Sequence, residues 1–310
     1  MRDSKGKKEK PKELDFRPLP SVVNEVVEKS LSNENPFNFG LYFNKWLKAV
    51  KSTATGHIKY QFQTKPETVL SSGGGHHQAD ESVGYYRKIK PFLFEILKRK
   101  IEERDGICEA FKRIGYECYR YRAKLLSPLI VGLGNSNPTE RGFTFHWTMG
   151  IPYIPAEGVK GVLRLAYLVN KATEDENFFS HWADEDATYW ESLKDLFGAG
   201  VESSQGTGAK KGKVIFMDAL PADVPELGIE ITNCHYREYY GGERGPTEDQ
   251  QPVPIPFLAV MPGSVFDFIF LLKKELSSEM KENFEKAFEK AISEHGFGGK
   301  TSTGHGRFGV

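Results

Sequence analysis

The stretch Gly296–Gly306, GFGGKTSTGHG, is where the fold is decided. Gly299-Lys300-Thr301 has the look of a phosphate-binding P-loop, which would make the chain a nucleotide hydrolase. The spacing refuses it. A P-loop carries a glycine five positions before its Gly-Lys pair, with a strand ahead and a helix behind. Here that position is Glu294, the residues from Ser277 to His295 read as a helix, and the closing GRFGV reads as a strand. Glycine recurs at Gly296, Gly298, Gly299, Gly304 and Gly306. It tolerates positive φ and lets another backbone come close. Lys300, Thr301, Ser302, His305 and Arg307 add donors suited to a phosphodiester.

Upstream of that loop the texture alternates. Tyr116 to Leu133 and Phe143 to Met149 read as strands. Val159 to Asn170 reads as a helix, with Val159, Val162, Leu163, Ala166 and Val169 at helical spacing. Lys213–Ala219, Ile255–Val260 and Ser264–Leu272 read as strands. The helix from Ser277 carries Met280, Phe284, Ala287, Phe288 and Ala291 on one face, Glu279 in its first turn and Gly296 past its end. The order from residue 116 approaches β-α-β-β-α-β with an extra hairpin strand. The expectation is an α+β, ferredoxin-like (RRM-like) core over residues 116–310, with helices on one sheet face, the other face left available, and loop insertions near 171–212 and 235–253. Residues 21–115 read as a mainly helical extension: Ser21 to Ser30, Pro36 to Val50 and Pro91 to Ile114 look helical. Residues 1–20 read as a mobile basic arm.

Composition narrows the class. The 310 residues hold 42 Lys+Arg against 42 Asp+Glu, so a nucleic-acid partner, if there is one, is met by local patches rather than by the whole surface. Cys108, Cys118 and Cys234 have neither zinc-ligand nor disulfide spacing. His76 and His77 are adjacent, so they share no helix face, and they read as solvated. No metal or other cofactor is called for. MRDSKGKKEKPKE lacks the apolar core of a signal peptide, and no apolar run would span a bilayer. A soluble, cytoplasmic protein with no membrane contact is expected.

The densest chemistry is FTFHWTMGIPYIPAEGVKGVLR, Phe143 to Arg164. Pro152 and Pro155 stiffen the approach to a helix. Gly161 inside that helix costs about 1 kcal/mol against alanine, and close approach of another backbone is the simplest reason for it. Lys160 and Arg164, four apart, share a face opposite the apolar stripe. With a helix N-terminus they favour an anion; an ordinary solvated face with a weak Glu157–Lys160 pair is the other reading. In CHYREYYGGERG, Cys234 to Gly245, Tyr236, Tyr239 and Tyr240 are interleaved with Arg237 and Arg244. Such a mixture suits base stacking, or the packing of a loop onto its own domain.

These stretches together resemble the RAMP superfamily of CRISPR proteins. GIPYIPAEGVKGVLR is similar to that superfamily's central motif, and GFGGKTSTGHGRFGV to its C-terminal glycine-rich loop. LFGAG…GKVIFMDALP is similar to the part between them. HYREYYGG…PVPIPFLAV and LIVGLGNSNPTERGFTFHWTMGIPYIP resemble the Cmr-type (type III-B) effector complex in particular. The resemblance runs from about residue 116 to 310. One departure stands out: Ala156, Glu157 and Gly158 lie where the family usually has two serines, while Lys160, Gly161 and Arg164 match.

The resemblance implies a ferredoxin-like, non-catalytic subunit that binds guide RNA toward its 3′ side and helps assemble a ribonucleoprotein. The partners implied are guide RNA, complementary target RNA and the other Cmr subunits. On that reading Lys160, Arg164, Lys300, Thr301, Ser302 and Arg307 meet backbone phosphates, and Tyr239 and Tyr240 stack on bases or on a neighbour. The alternative is a metal-independent RAMP endoribonuclease that processes guide RNA, with His146 or His305 as base and Lys300 beside the phosphorane.

Overall fold

The computed structural model describes residues 13–16, 19–33, 36–47, 49–52, 58–60, 81–137, 141–175, 178, 188–199, 209–234, 236–249 and 253–309. His76 and His77 lie outside them. In chain order the elements are β1 (Glu13–Phe16), α1 (Ser21–Asn33), α2 (Phe39–Lys45), β2 (Ala49–Ser52), β3 (Ile58–Tyr60), α3 (Glu81–Arg113) and β4 (Tyr116–Leu125). Then come α4 (Ala156–Glu174), α5 (Thr188–Phe197), β5 (Val214–Phe216), β6 (Leu220–Pro221), β7 (Leu227–Cys234) and α6 (Arg237–Tyr240). The chain closes with β8 (Val253–Val260), β9 (Val265–Lys273), α7 (Ser278–Lys290) and β10 (Phe308–Gly309). The fold is α+β. Among the described residues no helix is long and apolar enough to cross a membrane.

The main sheet is antiparallel, in the order β10-β4-β9-β5, with β6 also beside β9. Its spine is β4 against β9, from Tyr116↔Lys273 to Lys124↔Val265. Strand β9, VFDFIFLLK, is buried at seven successive positions. A strand apolar on both sides needs a cover on both sides. On one face Phe268 and Phe270 meet Phe284 and Phe288 of α7, with ring centroids 5.1–5.4 Å apart, and Val159, Leu163 and Ala166 of α4 join the same core. On the other face Ile269 and Leu271 pack with Cys108 and Phe111 of α3.

The second cover corrects an expectation: the sheet face thought to be available is occupied by the helical extension. A buried ion pair pins it, Arg104 of α3 donating to Asp267 of β9 at 3.0 Å, with side chains 3% and 1% exposed. The extension also shares the main core, through Phe39, Phe43, Tyr86, Leu93 and Leu97. Helix α3 begins ten residues earlier than Pro91 and continues through that proline.

Two strands differ from the reading of the sequence. Phe143–Met149 makes only one isolated bridge, Phe145↔Pro152. Its backbone is satisfied piecemeal: Thr144 N donates to Val131 O at 2.8 Å and His146 N to Ile151 O at 2.9 Å, while side-chain amides of Asn44 and Asn38 donate to Phe143 O at 3.2 Å and Trp147 O at 2.6 Å. Conversely, LGIEITNC forms β7, which pairs along its whole length with β8 as a separate hairpin. The stretch 171–212 is not all loop, since α4 runs on to Glu174 and α5 follows. Glu13–Phe16, in the stretch read as an arm, pairs with β2.

Candidate nucleic-acid interface

Three groups of sequence-selected residues occupy three places. The first is the start of α4. Pro155 opens the helix at φ −58°, which its ring fixes, and ψ 141°, and offers no side-chain cap. The orphan N–H of Ala156 finds its acceptor in this chain, Asp218 Oδ1 at 2.8 Å. The negative charge a helix N-terminus favours is therefore supplied internally, just before β6. Lys160 is half-buried and Arg164 exposed one turn on, and neither has an ion pair among the described residues. The expected approach of a backbone to Gly161 is absent within the described chain: a Cβ there, or at Gly158, would meet nothing within 4 Å.

The second place is the glycine-rich loop. It is tied to the segment after β4, with Gly299 N donating to Ile130 O at 2.7 Å and Gly306 N to Pro128 O at 2.9 Å. Its glycines are needed for that closeness. A Cβ at Gly298 would sit 2.2 Å from Ile130 O, and one at Gly306 1.9 Å from Phe297 O, both at positive φ. Gly296, at φ +73°, ends the π-turn Ala291–His295 that follows α7. Lys300 itself is left-handed at φ 59° and starts a single 3-10 turn, Thr301–Thr303.

Two side chains of this loop, Lys300 and His305, turn toward the β7–β8 hairpin. Lys300 Nζ lies 3.4 Å from Thr232 Oγ1 and 5.8 Å from the Phe257 ring centre, a cation–π distance. His305 Nδ1 is 3.1 Å from Thr303 Oγ1, and its Nε2 is 3.9 Å from Glu230 Oε2. Arg307 donates to Thr301 O at 3.3 Å, while its backbone N–H donates to Ser127 Oγ at 2.9 Å. Arg307 Nη1 is buried without a hydrogen-bond partner among the described residues. Lys300, Thr301 and Arg307 are thus brought together, and Ser302 is exposed beside them.

The third place is the end of that hairpin. Leu129↔Val260 ties its base to the core, and α6 follows β7 at the other end. There Tyr239 and Tyr240 meet edge to face at 5.5 Å and are 50% and 75% exposed. Arg244 is held by Asp249 at 2.6 Å and Glu238 at 3.7 Å, so its charge is largely spent within the tip. Lys300 meets the same hairpin at Thr232 of β7.

The two candidate bases belong to different places. His146 sits before α4, 3.2 Å from Thr148 Oγ1 and edge-on to Tyr153 at 5.5 Å. Burial, and then Lys100, hold its pKa below the ordinary histidine value. The sequence reading passed over Asp218 and Ser127, which anchor α4 and the glycine loop. It also passed over Trp147, 87% exposed on a turn fixed by Asn38. Only Trp147 carried a signal, a large aromatic beside Gly150 in a turn.

Comparison with known proteins adds a lineage. The chain is 27% identical, over an alignment of 346 residues, to the CRISPR system Cmr subunit Cmr6 of Pyrococcus furiosus, covering 92% of this chain and 98% of that one. A crystal structure of the Pyrococcus furiosus Cmr6 aligns at 25% identity with a TM-score of 0.37, over 62% of this chain and 97% of the other. A chain of the type III-B Cmr-beta complex bound to cognate target RNA aligns at 17% identity with a TM-score of 0.49, over 93% of this chain and 86% of the other. The sequence model of the RAMP superfamily matches residues 122–309. The chain belongs to the RAMP superfamily.

Proposed function

We propose that this chain is the Cmr6-type subunit of a type III-B CRISPR ribonucleoprotein, where it binds RNA and joins neighbouring Cmr subunits in the cytoplasm. The observation that carries the reading is the alignment with Cmr6, which spans 92% of one chain and 98% of the other, extension and core alike. The subunit lies toward the 3′ side of the guide RNA and is not a nuclease. The core is ferredoxin-like: the sheet order β10-β4-β9-β5, with α4 and α7 on one face, supports that finer description.

With α3 on the second sheet face, RNA meets loops and edges rather than a sheet platform. Lys160 and Arg164 on α4 and Lys300, Thr301, Ser302 and Arg307 on the glycine loop contact phosphates, which sets register without reading bases. Tyr239 and Tyr240 are free to stack on a base or a neighbour. The nuclease alternative draws less support, because His146 and His305 each have their own hydroxyl partner on separate segments.

The test is a tagged pull-down from the native host, with sequencing of the bound RNA and identification of the bound proteins. Repeat-derived short RNA together with other Cmr subunits is the expected result. A lone protein without RNA overturns the proposal. Metal-free RNA cleavage by the purified chain, lost in His146→Ala or His305→Ala, would replace it with the nuclease.

A further inference from the structure

The interface described above takes the start of α4 and leaves the far end of the outer helical layer unused. There α4 and α7 pack side by side, and between their C-terminal ends lies a groove of about 360 Å³. Asn170 is at its base, with Glu174, Glu289 and Glu294 around it. Asn170 follows Val159, Leu163 and Ala166 on the buried stripe of α4 and is 9% exposed. Its Oδ1 has no hydrogen-bond partner among the described residues. A buried amide oxygen left without a donor is costly, which points to a donor arriving from outside.

The rest of the wall is also short of donors. The hydroxyls of Thr173 and Ser293 give their protons to Asn170 O and Glu289 O, both at 2.7 Å, so what they retain is lone pairs. Both helices present their negative ends here. Ser293 and Glu294 belong to the π-turn after α7, an irregularity often found at functional sites. Two lysines, Lys286 and Lys290, line the groove as well, and Lys286 is bound to Glu282 at 2.8 Å and lies in the field of Glu174 and Glu289. Glu174 is bound to Lys171 at 2.8 Å, which leaves the exposed Glu289 and Glu294 to face an incoming group.

We propose that this groove receives an arginine side chain from a neighbouring protein subunit. A guanidinium brings five donors in a planar fork, enough to reach the Asn170 oxygen and the carboxylates together, whereas an ammonium is a compact charge with three. The same carboxylates repel a phosphodiester, so the groove is a protein contact and not an extension of the RNA path. The inference rests on the chain being a subunit of a larger assembly.

The experiment compares tagged wild type, Glu289→Arg/Glu294→Arg, Glu289→Gln/Glu294→Gln and Asn170→Leu, each purified from the native host through a salt wash. The Glu pair is exposed, so its variants keep the fold. The charge-reversed variant is expected to lose one protein neighbour by at least about tenfold while keeping its RNA. Asn170→Leu is expected to melt no lower than wild type as an isolated chain, yet to lose the same neighbour; a merely structural asparagine would not separate these readouts. Phenylglyoxal is expected to spare one arginine of that neighbour in the wild-type assembly and to modify it in the Glu→Gln preparation. Wild-type stoichiometry in all variants overturns the inference, as does loss of RNA in place of protein. A wild-type chain that brings down neither RNA nor Cmr subunits overturns the function proposed above, and this inference with it.

Discussion

Gly306 and Gly304 lie two residues apart in the loop that suggested a nucleotide site, yet they do different jobs. Both have positive φ, +68° and +91°, which costs an alanine about 1–2 kcal/mol. At Gly304 nothing lies within 4 Å, so Gly304→Ala is expected to lose only that amount in urea denaturation. At Gly306 the new methyl would meet Phe297 O at 1.9 Å, a contact the backbone cannot relieve by rotating a side chain. Gly306→Ala is expected to destabilise at least twice as much in the same measurement. Equal losses would mean that the loop is not tied to its neighbours as described. Arg104 makes a second test. Removing it leaves Asp267 buried with Arg122, at 3.0 Å, as its one side-chain partner among the described residues, so Arg104→Ala is expected to cost about 3 kcal/mol by denaturant titration. Neither cost is visible in the chain order, because the acceptor of Gly306 N is Pro128 and the partner of Arg104 is 163 residues away.

At the scale of elements, the hydrophobic period located α4 and α7 correctly, and Ser277, read as the first residue of α7, is its N-cap, accepting from Met280 N at 3.2 Å. The period failed for Phe143–Met149, whose apolar run is stapled to α2 by asparagine side chains rather than paired as a strand. The continuous burial of β9 was legible as a run of apolar residues, but a run says only that both faces are covered, not by which helix. Helix α3 is that cover, and Glu226, just before β7, ties it down through Arg87 at 2.6 Å and Lys90 at 3.1 Å. Burial raises the Glu226 pKa, but the bonds to Arg87 and Lys90 outweigh burial and hold it below the ordinary carboxylate value. A lowered pKa stabilises the fold above the ordinary value and ceases to do so as pH falls through the lowered one. With a carboxylate one-third exposed the contribution is about 0.5–1 kcal/mol. The melting-temperature gap between wild type and Glu226→Gln is therefore expected at neutral pH and to close as pH drops below about 4. A gap that persists in acid would mean the clamp acts through packing alone. For the candidate interface, Lys300→Glu with Arg164→Glu is expected to weaken RNA binding and to flatten its salt dependence by about one phosphate per lost contact, read as the slope of log K against log salt. An unchanged slope would remove both residues from the RNA path.

At the scale of the molecule, the helical extension and the RAMP core share one hydrophobic interior. Phe39 lies 5.3 Å from Phe145, ring centre to ring centre, and a Cβ at Gly40 would touch Phe145 Cβ at 2.6 Å. Residues 116–310 alone would expose Ile269, Leu271 and the Asp267 carboxylate on one sheet face. That fragment is expected to aggregate or to melt without cooperativity, whereas the full chain unfolds in one calorimetric transition. A fragment that melts cooperatively near the full chain's temperature would show an independent core. By itself the sequence determined the α+β order, the two helices over the sheet, the rejection of a P-loop and the superfamily, because each is written in local spacing: apolar periods, caps, glycine positions and motif order. Only the tertiary structure decided that α3 closes the second sheet face, that Asp218 occupies the start of α4, and that Lys300 lies against the β7–β8 hairpin. Those outcomes depend on pairings across 60 to 160 residues of chain, where burial of apolar surface and the need to satisfy buried charge choose the partner, and no local pattern encodes that choice.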